Sequence, residues 1–324
     1  MSPPQFTTLD DIRAAARRVS VLARVTPLVD VTAAAGRPLF LKCESLQPGG
    51  AFKIRGAYNM VAQLTDEQRR RGVVTFSSGN HGQAMALAAR ELGAPAVVVM
   101  PTTAPQIKIE GARGYGAEVI FAGTTTTERR ERAEAEAQAR GLTMVPPFDH
   151  EWIIAGQGTA GLEILDQRPD VATVLVPIGG GGLAAGVAAA IKLSRPEVRV
   201  IGVEPSGAAA MKASIEAGRP VTLDRTYSVA DGLMAVRPGD LTFAHVRRFV
   251  DSIVTVEDEQ IIDAVLWLFS EAQIVAEPSG ATTVAAALAG VAPMDGPTVA
   301  IVSGGNMSAE TLEEFRLART LSQP

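Results

Sequence analysis

A single cysteine, Cys43, in 324 residues rules out an intramolecular disulfide and any cysteine-built zinc site, and it fits a reducing compartment. Three histidines (His81, His150, His245) leave little for a histidine metal site, and no transition-metal chemistry is expected. There is no basic excess either: the net charge of −5 gives no electrostatic reason to expect nucleic acid or an anionic membrane as partner. Long apolar runs are missing. Residues 284–292 form an Ala-rich run of nine, against the roughly 20 needed to span a bilayer. The first residues lack the basic segment and apolar core of a secretory signal, so a cytoplasmic protein is expected. No Gly-Lys dipeptide occurs, which excludes a Walker A loop. Lysine itself is scarce. Lys42, Lys53, Lys108, Lys192 and Lys212 stand against 25 arginines, so chemistry that needs an amine has five candidates.

The sequence is rich in short β-branched runs that stop at Gly, Pro or Ser. They lie at 73–76, 96–100, 119–121, 173–178, 198–203 and 298–302, and their continuous apolar character suits strands buried on both faces. Helix-like stretches at 83–92, 127–140, 183–193 and 260–271 alternate with them, which predicts an α/β fold of open, mostly parallel sheets. Glu128 with Arg132 and Glu136 with Arg140 mark 127–140 as a solvated outer helix. Ligands of such folds sit beyond the carboxyl ends of the strands, and four of the six strand ends carry glycine-rich or acidic tips.

The run Gly179, Gly180, Gly181, Gly182 follows one strand and opens an Ala-rich helix. Consecutive glycines turn backbone N–H groups toward an anion, and the helix start favours negative charge, so a phosphate is expected there. On spacing alone, Gly179, Gly181 and Ala184 with Glu204 on the next strand also fit a dinucleotide fingerprint, so NAD competes at this point. A second stretch, Ser45 to Ala57, delivers Phe52 and Lys53 to the start of a helix predicted over 55–64. A helix N-terminus disfavours a cation, so a lysine there loses basicity and gains use as a nucleophile or base; a surface lysine in a loop is the plainer reading.

Four motifs in order, Phe52-Lys53-Ile54-Arg55-Gly56-Ala57, Ser77-Ser78-Gly79-Asn80-His81-Gly82-Gln83, Ala155-Gly156-Gln157-Gly158-Thr159 and the four glycines, resemble the fold-type II pyridoxal-phosphate enzymes, in the serine/threonine dehydratase and serine racemase branch. The resemblance runs from Thr26-Pro27-Leu28 to Ser303-Gly304-Gly305-Asn306 and implies pyridoxal 5'-phosphate as cofactor, held in a cleft between two lobes. It implies Lys53 as the Schiff-base lysine, Phe52 against the cofactor ring, Asn80 on the ring hydroxyl, Gly179–Gly182 under the phosphate, Ser303 on the pyridine nitrogen and Gly232 as a wall of the cofactor face. A neutral serine at that nitrogen favours prompt loss of a β-leaving group over a long-lived carbanion. Ser77, Ser78, Gly79, Asn80 and His81 resemble the clamp for a substrate carboxylate, with Ser78 also where racemases of the branch carry a second base, and His81 is expected to pack structurally.

Two departures qualify the resemblance. Several relatives hold a divalent cation with a glutamate, a carbonyl four residues on and an acid six residues on. Those positions are Glu204, Ala208 and Ala210 here, one carboxylate short, so a divalent or monovalent cation is doubtful. Phe148, in Pro146-Pro147-Phe148-Asp149, resembles dehydratases, whereas eukaryotic racemases usually have Asn there. The resemblance thus implies an ammonia-lyase that converts L-threonine or L-serine to a 2-oxo acid and ammonia. The alternatives are a serine or aspartate racemase, or a dehydratase of another β-hydroxy amino acid such as hydroxyaspartate, which an added cation at the distal end of the substrate would favour. Arg113 and Arg237 cannot be placed for that role from sequence. A large cofactor domain from 1–71 and 150–324, a small substrate-clamp domain over 72–149, no C-terminal regulatory domain, a small amino-acid substrate and a homodimer or homotetramer complete the expectation.

Overall fold

Ten strands form two sheets in a computed structural model that describes residues 5–77, 79–104 and 106–321. In chain order they are β1 (Leu28–Asp30), β2 (Leu39–Lys42), β3 (Val73–Phe76), β4 (Ala96–Met100), β5 (Glu118–Phe121), β6 (Thr143–Met144), β7 (Thr173–Pro177), β8 (Arg199–Pro205), β9 (Ser252–Val256) and β10 (Thr298–Ile301). The larger sheet has the order β1-β2-β10-β7-β8-β9 and the smaller β5-β4-β3-β6. Every pairing is parallel except β1 with β2. Six strands coincide with the β-branched runs. The other four are β1 and β6, short edge strands, β2, which ends on a charged residue, and the edge strand β9, whose run at 253–256 was not recognised.

Parallel strands need crossovers, and helices over both faces leave β2, β4 and β7 buried along their whole length. All strands of the smaller sheet come from 73–144, and those of the larger from 28–42 and 173–301. Among the described residues, no helix is long and apolar enough to cross a membrane. In the outer helix Thr126–Arg140 the expected pair Glu136 with Arg140 forms at 3.5 Å, but Glu128 with Arg132 does not. Glu128 closes a capping box with Thr125, while Arg132 reaches forward to Glu136 at 2.7 Å.

The helix that starts at Lys53 (Lys53–Val61) is buried over eight of its nine residues. Gly156 lets the helix Glu151–Gln167 approach it: a Cβ there would stand 2.6 Å from the Gly56 Cα. Gln157 accepts the Gly56 N–H at 3.2 Å, so the Ala155–Thr159 motif seats one helix on another. Arg55, wholly buried, makes two-pronged ion pairs to Glu44 (2.7 and 2.7 Å) and to Glu163 (2.7 and 2.8 Å), and donates to Thr159 Oγ1 at 3.0 Å. Lys42, buried at the end of β2, donates to Glu163 at 2.6 Å. Two cations face two carboxylates, so the cluster is neutral, the condition under which buried charge is tolerated. Burial alone would raise the Glu44 carboxyl, but Arg55, Lys42 and Thr26 hold it below its ordinary value. This network clamps the first turn after Lys53 from behind.

Candidate active site

Lys53 opens its helix with no side-chain cap in front of it, and its Nζ donates to the Pro147 carbonyl at 2.8 Å. Burial lowers the amine to about 8, which leaves a substantial neutral fraction near neutral pH. Phe52 lies alongside, its ring centroid 5.2 Å from that Nζ. The Phe52 N–H donates at 3.0 Å to the carbonyl of Ser303, beyond the end of β10, and so ties the lysine turn to a strand tip. Ser303 is buried, and its hydroxyl donates to the Ser279 carbonyl at 3.3 Å.

Gly179, Gly180, Gly181 and Gly182 turn from β7 into the helix Gly182–Ser194. Gly181 has φ +96°, which only glycine adopts without strain. A Cβ on Gly180 would stand 2.3 Å from the Phe148 ring. The loop is braced by Thr242, whose hydroxyl donates to the Gly180 carbonyl at 2.7 Å. The next residue after Phe148, Asp149, accepts the N–H groups of Asp240, Leu241 and Thr242 at 3.0–3.1 Å and caps the helix Asp240–Phe249. Pro147, Phe148 and Asp149 therefore join the amine, the glycine loop and the helix behind it in three consecutive residues.

Beyond β3, Gly79 caps the helix Asn80–Glu91, and its N–H donates to Ser77 Oγ at 3.3 Å. Asn80 does not face the loop alone. Its Nδ2 donates to Glu277 at 2.5 Å and its Oδ1 accepts from Asn306 at 2.9 Å. Burial, with the nearby charge of Asp231, pushes the Glu277 carboxyl up to about 7. His81 is buried with Nε2 3.1 Å from the Val145 carbonyl, which assigns the proton to Nε2. Burial and the Lys53 charge push it down to about 3, so it stays neutral. The Gly232 N–H donates to Ser279 Oγ at 2.9 Å, and its carbonyl lies 3.2 Å from where a Cβ on Gly179 would be. Ser78 lies outside the described residues.

Lys53, Phe52, Asn80, Gly232, Ser303 and the four glycines thus gather at the carboxyl ends of β3, β7 and β10. Sequence reasoning missed Glu277's bond to Asn80, Asn306, Ser279 and the brace of Thr242 and Asp149. Glutamates, serines and threonines are ordinary residues that carry no local signature. Arg237 is paired with Asp240 at 2.5 Å.

At the doubted cation position of Glu204 and Ala208, the structure shows a helix cap. Both Glu204 oxygens accept backbone N–H groups, from Met211 at 2.8 Å and Lys212 at 2.9 Å, in the first turn of the helix Ala210–Ala217. With alanine at 208 and 210, no other carboxylate joins it, and among the described residues no group of three or more His, Cys, Asp or Glu is placed to hold a metal ion. Burial pushes the Glu204 carboxyl up to about 7 against those two hydrogen bonds. The donor set fits a helix cap and not a hard cation.

The residues do fit pyridoxal phosphate. Among the described residues, no carbonyl or side chain takes the N–H groups of Gly179–Gly182, which leaves four donors in a turn that opens a 13-residue helix. These donors suit a phosphate, and the Lys53 amine, the Asn80 amide and the Ser303 hydroxyl supply the remaining polar partners such a ring requires.

Comparison with known proteins gives the same family. The L-threonine ammonia-lyase of Thermotoga maritima is 45% identical over 315 residues, 95% of this chain and 78% of that protein. The solved structure of maize serine racemase superposes with a TM-score of 0.92 at 39% identity, covering 98% of each chain. A solved threonine deaminase from T.th. gives 0.89 at 41%, covering 93% of this chain and 99% of that one. The family model described as "Pyridoxal-phosphate dependent enzyme" matches residues 19–304. The chain belongs to the pyridoxal-phosphate dependent enzymes of this fold.

Proposed function

We propose that this enzyme is an ammonia-lyase that converts L-threonine, and L-serine, to the corresponding 2-oxo acid and ammonia by loss of the β-hydroxyl as water. One observation carries the reading: an amine lowered to about 8 is held by the carbonyl of Pro147, and the next residue, Phe148, packs its ring against the four-glycine anion turn. Bound pyridoxal phosphate supplies a covalent attachment for the substrate amine and a sink for the electron pair left at Cα. The chain supplies the rest. Lys53, neutral in part at working pH, takes the Cα proton. Ser77, Gly79, Asn80 and His81, at the N-terminal end of a 12-residue helix, are taken together with Ser78 as the clamp that holds the substrate carboxylate, favoured by the helix dipole. Ser303 offers a neutral hydroxyl to the ring nitrogen, and Gly232 leaves the cofactor face open.

The lyase relatives support elimination, and so does Phe148, whose ring against Gly180 puts an apolar wall where racemases of the branch carry an amide. We take 72–149 as the substrate-clamp domain and 1–71 with 150–324 as the cofactor domain, in a cytoplasmic homo-oligomer. The division is supported by the two sheets, which draw on those segments separately. The deciding experiment incubates the enzyme with L-threonine, L-serine and D-serine and scores 2-oxo acid and enantiomer together. Oxo acid from L-threonine, absent in Lys53→Ala along with the visible absorbance of bound cofactor, supports the reading. Inverted serine without oxo acid transfers it to a racemase, which the maize relative keeps in play.

A further inference from the structure

Two charged residues at the edge of this site have no role in the scheme above. Lys108, on the helix Gln106–Gly114 beside the smaller sheet, forms an ion pair with Asp231, in the short turn Asp231–Leu233 beside the larger one. The pair links a helix of the 72–149 segment to a turn of the 150–324 segment. Both partners adjoin the site. Lys108 Nζ is 3.6 Å from the position a Cβ on Gly79 would take, and Asp231 precedes Gly232, whose backbone borders Gly179 and Ser279. The lysine side chain is 16% exposed and the aspartate 47%, so the cation is the more buried partner and the anion the more solvent-facing one.

We propose that Lys108 and Asp231 form a charge filter that admits β-hydroxy amino acids with neutral side chains and turns away those with a second carboxylate. The inference rests on the ammonia-lyase reading and refines its substrate class. With Asp231 in place the ammonium is already neutralised, and an entering side-chain carboxylate meets an acid of its own sign. Without Asp231, a poorly hydrated ammonium stands beside the carboxylate loop and attracts a second carboxylate more strongly than a surface charge would. Without Lys108, the acid remains and no cation is gained. The two single variants should therefore differ in the sign of their effect, which distinguishes a filter from a purely mechanical tie between the lobes.

The test uses the cofactor-loaded enzyme and two ligands without an amine: 3-hydroxybutyrate, the counterpart of threonine, and malate, the counterpart of hydroxyaspartate. Calorimetric titration measures their affinity ratio, and kcat/KM for threo-3-hydroxyaspartate against L-threonine is measured in parallel. In Asp231→Asn the malate to 3-hydroxybutyrate affinity ratio should rise by about tenfold or more, and in Lys108→Met it should not rise. Asp231→Ser repeats the test should the Asn variant fold poorly. A ratio unchanged in the Asp231 variants, raised equally in Lys108→Met, or already favouring malate in the parent enzyme overturns the filter. Failure of the parent enzyme to turn over either amino acid refutes the lyase reading instead, while the binding ratios still judge the filter.

Discussion

Replacing Arg55 by Met removes the cation that serves two carboxylates without changing the apolar stem that lines the helix. Glu163 keeps Lys42 at 2.6 Å, but Glu44 is left buried with only Thr26 at 2.6 Å, longer contacts to Gln47, and the more distant charge of Lys42. Breaking one side of a buried pair costs about 3–5 kcal/mol, because the remaining charge keeps its desolvation penalty. At roughly 2 °C per kcal/mol for a chain of this size, the melting temperature should fall by roughly 6–10 °C. pH gives a sharper check. In the parent protein Glu44 is held low, so its contribution is present above the unfolded value and is lost as pH falls. In Arg55→Met the carboxyl is raised instead, so its penalty is full above the raised value and is relieved as pH falls through it. The stability gap between the two proteins should narrow from neutral pH toward about pH 5. Adding Glu44→Gln should recover much of the loss. Urea unfolding monitored by circular dichroism across that range measures all of this. A deficit below about 1 kcal/mol, or a gap that ignores pH, refutes the claim that Arg55 holds the helix of Lys53 through paired charge.

Other outcomes follow from the same geometry. Glu277 is raised to about 7, so it stabilises the fold fully below its ordinary carboxyl value and loses that contribution as pH rises through 7. Glu277→Gln, which can still accept from Asn80, should flatten the decline in melting temperature between pH 5 and pH 8; an unaltered profile counts against a buried, titrating acid. Gly181→Val puts a β-branched residue at φ +96°, with its Cβ 2.6 Å from Met211, and should weaken retention of pyridoxal phosphate on gel filtration more than it lowers the helix signal. Because Glu204 caps a helix, EDTA should leave melting temperature and activity where they are and Mg²⁺ should add nothing; a rise in melting temperature with Mg²⁺ would place a cation on that carboxylate.

What was legible in the sequence was whatever local backbone demands impose. Buried parallel strands require unbroken β-branched runs, so β3, β4, β5, β7, β8 and β10 could be read directly. β9 does carry a β-branched run, at 253–256, but it lies at a sheet edge, only part-buried over most of its length, and was not recognised; β6 is two residues long and carries none. Turns that expose N–H groups require glycine in sequence, so the 179–182 loop stood out, and its φ of +96° at Gly181 shows why no other residue serves there. Lys53 was singled out by the motif at 52–57; its place at a helix start suggested a weakened base, but its lowered basicity arises chiefly from burial, which the helix-dipole argument did not include.

Electrostatic partners leave no such trace, because any glutamate looks alike until the fold chooses which one is buried. Asn80 meets Glu277 across 197 residues, and Lys108 meets Asp231 across 123. From composition, Lys42 and Lys108 were ordinary strand and helix residues. The structure makes one the buried anchor of the helix that presents Lys53 and sets the other beside Gly79. Glu204 shows the converse. Its position at a strand end resembled a cation ligand, but its oxygens accept the backbone N–H groups of Met211 and Lys212, and N–H groups, unlike carbonyls, cannot hold a cation. One carboxylate therefore serves either as a metal ligand or as a helix cap according to whether its neighbours present oxygen or N–H. That choice is made by the loop's path, which a glutamate six residues from an alanine does not reveal by itself.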